Sequence, residues 1–409
     1  MSLLDFFAIL LTATAFCSWV NHRYLKLPVT IGVMSISLVF SLVIHFAAKS
    51  GIGGMGLVER TLESIDFNTV LMDWMLGILL FAGSLHMKLE DLAKQKWVIA
   101  SMASFGVLSS AFLVAAAMSV FFGFVQMEVP FIYCLLFGAL ISPTDPIAVL
   151  GLLKKAGVSK SLETKVAGES LFNDGVGVVV FVVIYELATT GKSFSMGHAL
   201  HVFLLEAGGG AVLGLVLGWL AFRMLKTVNQ YSVEILLTLA LVVGGMSLAL
   251  KLHASAPVAM VMAGLLIGNQ GRMFAMSEKT REHLDTFWEL IDEILNAVLF
   301  VLIGMEVCMI EMVPAYLAAG VFAFLLVLFA RGFGVGVSMW FLKRWRTFSR
   351  GAFPIMTYGG LRGGISVALA LALPEGEMRD ILVSITYVVV IMSILIQGLT
   401  IDKLARKVC

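Results

Sequence analysis

The chain has 409 residues, 60% of them hydrophobic and 13% charged, with a net charge of +1. A soluble domain carries about 25% charged residues, so this composition excludes a set of soluble domains and describes a polytopic membrane protein. The charge balance gives no argument for a nucleic-acid partner, and the four cysteines, Cys17, Cys134, Cys308 and Cys409, show neither metal spacing nor a disulfide framework.

Thirteen apolar segments follow, at roughly 3–20, 27–48, 69–87, 97–123, 130–153, 165–189, 196–225, 231–250, 255–270, 286–310, 314–342, 351–373 and 379–401, most of them long enough to cross a bilayer as a helix. The fold class expected is therefore an all-α polytopic membrane protein with about thirteen transmembrane helices. The first segment lacks a basic flank and a small-residue cleavage site, and reads as a membrane helix rather than a signal peptide. Only a few residues follow the last segment, so no large regulatory tail is expected.

The basic residues test this order. With the N-terminus outside, the inside loops hold 21 Lys and Arg and the outside loops 5, out of 28 in the chain. An unbroken alternation of this kind is the positive-inside pattern. Two arginines, Arg331 and Arg362, remain inside the apolar segments.

Segment five contains Ser142-Pro143-Thr144-Asp145-Pro146, and segment twelve contains Gly359-Gly360-Leu361-Arg362-Gly363-Gly364. Proline removes a backbone donor and crowds the preceding turn, so the first helix breaks there. Two interrupted spans in corresponding places mark the binding centre of an inverted-repeat transporter. Their separation by seven segments makes them run in opposite directions, although residue identity between the halves is too weak to claim a sequence repeat. Each break leaves half-helix ends near the midplane, where Asp145 can offset the positive ends and Arg362 the negative ends.

Segment six carries the stretch the rest is organised around, Gly168 to Gly177, with Glu169, Ser170, Asn173 and Asp174. An intramembrane acid costs about 3 kcal/mol at the helix centre unless it is paired or wet, and by default marks an ion or proton site; the plain alternative is an acid that holds a neighbouring helix. At ~100° per residue, Glu169 stacks on Asn173 and Ser170 on Asp174, while Glu169 and Asp174 point roughly 140° apart. The two acids are thus not a dyad on one ligand. Gly168, Gly175 and Gly177 leave room for another backbone to pass close by.

These residues resemble the monovalent cation/proton antiporter superfamily, in particular the sodium/proton exchangers of the NhaP-type branch. The matching stretches are Ser142 to Leu150 (SPTDPIAVL), Gly168 to Gly175 (GESLFNDG), Leu295 to Glu306 (LNAVLFVLIGME) and Gly359 to Ala368 (GGLRGGISVA), with Arg331 as the basic residue of the eleventh segment. The resemblance covers nearly the whole chain. It implies that Asp174 binds the cation and the proton, that Ser170 and the break around Thr144 and Asp145 help coordinate the ion, and that Asn173 in place of a second aspartate sets an electroneutral exchange of one cation for one proton. It further implies buried ion pairs of Glu169 with Arg331 and of Asp145 with Arg362. It places a core in residues 97–189 and 314–401, a dimerisation part in 1–87 and 231–310, and a linker helix at 196–225. The implied setting is a homodimer in the cell membrane, moving Na+ (or Li+ or K+) against H+, with no cofactor and no catalytic residue. One departure stands out: Ala82 occupies the place where many relatives carry a glutamate, which in some of them contributes to the cation site, and Asp73 lies too far along the helix to replace it.

On this reading cation and proton compete for one carboxylate, and that competition gives exchange if the empty site crosses slowly. A cation channel, a transporter of another solute on the same scaffold and an intramembrane aspartyl protease using Asp145 and Asp174 are the alternatives; the GxGD motif of such proteases is on neither acid. Seven histidines, His22, His45, His86, His198, His201, His253 and His283, lie mostly in loops or near helix ends. Glu186 and Glu206 read as interface or cavity acids. The acidic run Glu289, Asp292 and Glu293 reads as a solvated helix start more than as a cation funnel.

Overall fold

A computed structural model describes residues 3–49, 75–190, 203–307 and 313–408, with Gly197 and His201. Asp73, His198, Cys308 and Cys409 lie outside the described residues. The described chain is helical throughout, apart from one isolated antiparallel bridge. In order the helices are α1 (Leu3–Val20), α2 (Val29–Lys49), α3 (Leu76–Leu85), α4 (Leu89–Phe124), α5 (Phe131–Leu140), α6 (Ile147–Lys155), α7 (Lys160–Thr190) and α8 (Leu204–Leu225). They continue with α9 (Tyr231–Lys251), α10 (Ala256–Leu266), α11 (Glu278–Glu306), α12 (Pro314–Leu342), α13 (Ala352–Tyr358), α14 (Gly364–Leu371) and α15 (Glu377–Val408).

Each of the thirteen apolar segments thus carries a helix or an interrupted pair of helices. Among the described residues six helices, α4, α7, α8, α9, α12 and α15, are by themselves long and apolar enough to cross a membrane, and the α1–α2 pair, bent by 108°, makes a seventh candidate. The others fall short for local reasons. α3 and α5 have 10 residues each, and the first half of α11 is strongly charged. Starts follow local chemistry: Ser277 caps α11 by accepting from the Thr280 N–H, Ser255 caps α10, and Pro314 sits in the first turn of α12.

Apolar packing joins the helices into two groups. Val114, Phe122, Phe137, Phe181, Phe324 and Ile385 belong to a core shared by α4, α5, α7, α12, α14 and α15. A second cluster extends this group to α6 and α13 through Val149, Leu153, Ala352 and Ile355. Phe81, Met246, Met260 and Trp288 hold α3, α8, α9, α10 and α11 together. α8 lies close along α10 because Gly210, Gly214 and Gly218 face it; a Cβ on Gly214 would stand 2.1 Å from the Ala259 carbonyl oxygen. Residues of α1, α2 and α11 pack on α14 and α15 through Ile31, Met34, Phe300, Val367 and Tyr387.

Candidate functional site

Helix α5 ends at Leu140 and α6 begins at Ile147; α13 ends at Tyr358 and α14 begins at Gly364. The two interruptions pass each other antiparallel, and the Asp145 N–H donates to the Leu361 carbonyl at 2.8 Å. The cause at the first break is in its sequence. Pro146 has no N–H to give the Ser142 carbonyl four residues back, so the helix cannot continue and that oxygen needs another donor. Arg362 supplies it. Its Nη1 donates to the carbonyls of Ser142 at 2.5 Å and Pro143 at 2.8 Å. Arg362, for which the resemblance implied a pair with Asp145, has its guanidinium at the orphan carbonyls that end α5, whose negative helix end it offsets. Asp145 lies against Gly363 at the start of α14, where a Cβ on that glycine would come within 2.7 Å of the carboxylate oxygen Oδ2. The carboxylate therefore stands at the positive end of a half-helix.

Helix α7 grips the first break. Asn173 Nδ2 donates to Thr144 Oγ1 and to Glu169 Oε1, each at 2.8 Å, and its Oδ1 accepts the Thr144 N–H at 3.3 Å. The Ser170 hydroxyl donates to the Thr144 carbonyl. On the same face as Asn173, Glu169 receives two bonds from Arg331 of α12, Nη1 to Oε1 at 2.5 Å and Nη2 to Oε2 at 2.6 Å, while Arg331 Nε reaches the Met356 carbonyl at 3.2 Å. Glu169, Ser170, Asn173, Thr144 and both arginines are buried. Glycines make this contact possible. A Cβ on Gly177 would stand 2.4 Å from the Pro143 ring, and one on Gly360 2.6 Å from Arg331 Nε.

Asn173, which the resemblance counts among the ion-site residues, bonds Thr144 and Glu169 here, and it is not among the residues lining the cavity described next. Its stacking on Glu169 at helical spacing turns it from Asp174.

Asp174 faces the other way, into a cavity of about 610 Å³. Thr144, Asp145, Ser170, Ala82, Gly83 and Ser366 line it with Asp174, and so does a face of α11 bearing Asp285, Glu289, Asp292, Glu293 and Asn296. Asp174 is 5% exposed, and its Oδ1 has no hydrogen-bond partner. The carboxylate is thus removed from bulk water, and it lines the cavity together with Ser170. The acidic run of α11, read from sequence mainly as a solvated helix start, lines the same cavity as Asp174 and gives it a negative wall. At the mouth Arg272 pairs with Asp285, and the His86 ring nitrogen lies 3.4 Å from Arg272 and 3.8 Å from Asp285. Glu186 and Glu206 are not among the lining residues.

Among the described residues no group of three or more His, Cys, Asp and Glu is close enough to hold a resident metal ion. A monovalent cation passing through makes a lighter demand: one carboxylate and several neutral oxygens. Sequence reading gave no role to Asn296 or Ser366, both buried and both facing the cavity. The available signal was an amide within the apolar run LNAVLF, which nothing in that run explains.

The sodium/hydrogen exchanger transmembrane profile matches residues 10–407. The chain is 48% identical over 411 residues to the Na(+)/H(+) antiporter NhaP of Pseudomonas aeruginosa, covering 99% of this chain and 97% of that one. It is 32% identical over 351 residues to the Na(+)/H(+) antiporter NhaH of Halobacillus aidingensis, 84% of each. Its fold is similar to that of the sodium proton antiporter MjNhaP1 from Methanocaldococcus jannaschii, with a TM-score of 0.77 at 20% identity over 100% of this chain and 99% of that one.

Proposed function

The chain belongs to the sodium/hydrogen exchanger family, and from that premise we propose that it is a secondary antiporter exchanging a monovalent cation, sodium in the first place, for a proton at Asp174. The observation that carries this reading is the unpartnered oxygen of a buried carboxylate, facing a cavity with the Ser170 hydroxyl and Thr144 at its side. A bare carboxylate removed from water is costly, so Asp174 is occupied by a proton or by a cation, and not by both. Filling with one expels the other. Coupling then needs only that the empty site crosses the membrane slowly.

Each neighbour has a part in this scheme. Ser170 and Thr144 offer neutral oxygens to the ion, and Asp145 supplies charge at the start of α14. Glu169 with Arg331, and Arg362 with the carbonyls of the break, hold the crossing rigid without titrating in the cycle. Asn173 braces α7 on the crossing and adds no second titrating group, which makes the exchange one cation for one proton and electroneutral. The core comprises residues 97–189 and 314–401, and moves against a dimerisation part of 1–87 and 231–310, with 196–225 as the link, in a homodimer. The N-terminus is outside and the C-terminus in the cytoplasm of the cell membrane, and the lining residues His86, Lys154 and Asp285, which the alternation of basic loops assigns to the inside, support a cavity open to the cytoplasm.

The test is proton movement in proteoliposomes under a sodium gradient. Asp174→Asn is expected to abolish it while the protein still reaches the membrane, and Asp174→Glu to keep some exchange with altered cation affinity. Exchange at a normal rate in Asp174→Asn would refute the assignment, and cation flux that needs no counter-gradient would favour a channel.

A further inference from the structure

The cavity holds oxygen ligands that exchange at Asp174 leaves unused. Asn296 is 1% exposed and lines the cavity from α11. Its Nδ2 donates to the Asp292 carbonyl at 2.8 Å, a group that can only accept, so the amide has a single orientation and its Oδ1 is left on the other side. That Oδ1 is buried and has no hydrogen-bond partner. Asp292 lines the cavity one turn before Asn296, on the same face of α11. Asp145 lines the same cavity as both Asp292 and Asp174. From α14, Ser366 presents a further buried hydroxyl without a partner. Opposite them Ala82 contributes a methyl group to the wall and no oxygen.

An amide oxygen buried without a donor costs free energy, and so does a crowd of acids in one cavity in which Asp285 is paired with Arg272 and the rest add negative charge. Both costs fall when a cation stands between them. A hard monovalent ion sheds its water in exchange for oxygen ligands, and a carboxylate with an amide carbonyl one turn away is a usable pair.

We propose that Asp292 and Asn296 form a second cation station in the cavity, where the ion arriving along Asp285 and Glu289 exchanges part of its water for protein oxygens before Asp145 passes it to Asp174. The station supplies from α11 the oxygens that the third segment lacks at Ala82. It rests on the reading of Asp174 as the exchanged carboxylate, and the experiment separates the two.

Sodium binding is measured apart from transport, as the rise in melting temperature of the detergent-solubilised protein in sodium chloride over choline chloride at equal ionic strength. In Asp174→Asn, exchange is lost but sodium still stabilises the protein through the second station. Adding Asp292→Asn or Asn296→Leu to that variant removes the remaining sodium effect. In the Asp174 protein, Asp292→Asn raises the apparent KM for sodium in proteoliposomes by about tenfold, equivalent to about 1.4 kcal/mol, and Asn296→Asp beside it recovers most of that loss. Gel filtration identifies variants that fail to fold, and the Asn296→Asp rescue keeps the question answerable if Asn296→Leu is one of them. The station is overturned if the sodium effect is absent in Asp174→Asn alone, if it survives in both double variants, or if Asp292→Asn leaves the sodium KM unchanged. Exchange retained in Asp174→Asn would instead overturn the reading of Asp174.

Discussion

Removing either partner of the Glu169–Arg331 pair is the perturbation with the most determinate outcome. The pair is buried, and both Nη atoms of the arginine bond both oxygens of the glutamate, at 2.5 and 2.6 Å. Glu169→Ala leaves the guanidinium with the Met356 carbonyl at 3.2 Å and costs about 3–5 kcal/mol, because a buried charge is stranded. Arg331→Ala strands the carboxylate, which retains only the bond from Asn173, and costs a similar amount, again about 3–5 kcal/mol. The double variant strands no charge. It loses the bonds to Asn173 and Met356, each about 1 kcal/mol, together with the packing of two side chains. Its total is therefore near that of one single variant, giving a coupling of at least about 2 kcal/mol. At the low end of roughly 2–4 °C per kcal/mol, suited to a long chain, each single variant lowers the melting temperature by roughly 6–10 °C, and the double variant by a similar amount. The assay is thermal unfolding in detergent at a fixed heating rate, since such transitions are rate-dependent. If the double loss equals the sum of the single losses within about 0.5 kcal/mol, the pair is not coupled and the reasoning fails.

Arg362→Lys should lower the melting temperature by several degrees and slow exchange, because an ammonium lacks the planar fork with which the guanidinium meets the Ser142 and Pro143 carbonyls; a Lys variant with unchanged melting and rate would show that charge alone suffices. Gly177→Ala puts a Cβ 2.4 Å from the Pro143 ring and pushes the break off α7. It should reduce exchange several-fold with the protein still inserted, and a rate equal to the parent would mean that α7 and the break separate without consequence. Electroneutral exchange predicts no steady transport current on a supported membrane above that of Asp174→Asn, and a clear sodium-driven current would refute one-for-one stoichiometry.

Much of this was legible along the chain because its causes are local. Thirteen apolar runs and an alternating bias of basic residues give helices in order, and Pro143 with Pro146 stops a helix wherever it is placed. The division of labour on α7 is also local. Helical periodicity alone puts Glu169 and Asn173 on one face and Ser170 and Asp174 on another, and the structure has the first pair on Arg331 and Thr144 and the second pair on the cavity. The cost of charge in a bilayer likewise says from sequence that Arg331 and Arg362 need partners.

Which partners they take was decided only by tertiary structure. Arg331 meets a glutamate 162 residues away, and Arg362 meets carbonyls about 220 residues away. For the second arginine the two orphan carbonyls come within reach only because the antiparallel crossing sets the guanidinium beside them. The acidic face of α11 is the same kind of case. Glu289, Asp292 and Glu293 fit a solvated helix start on local grounds, and they become a cavity wall only because α3, α7 and the two breaks stand opposite. Asn173 and Asn296 are both amides in apolar helices, and no property of either residue says which of the two oxygens will find a donor. The difference is whether the carbonyl oxygen finds a backbone N–H, as Asn173 does at Thr144, or is buried without a donor, as in Asn296, and that depends on packing across helices distant in sequence.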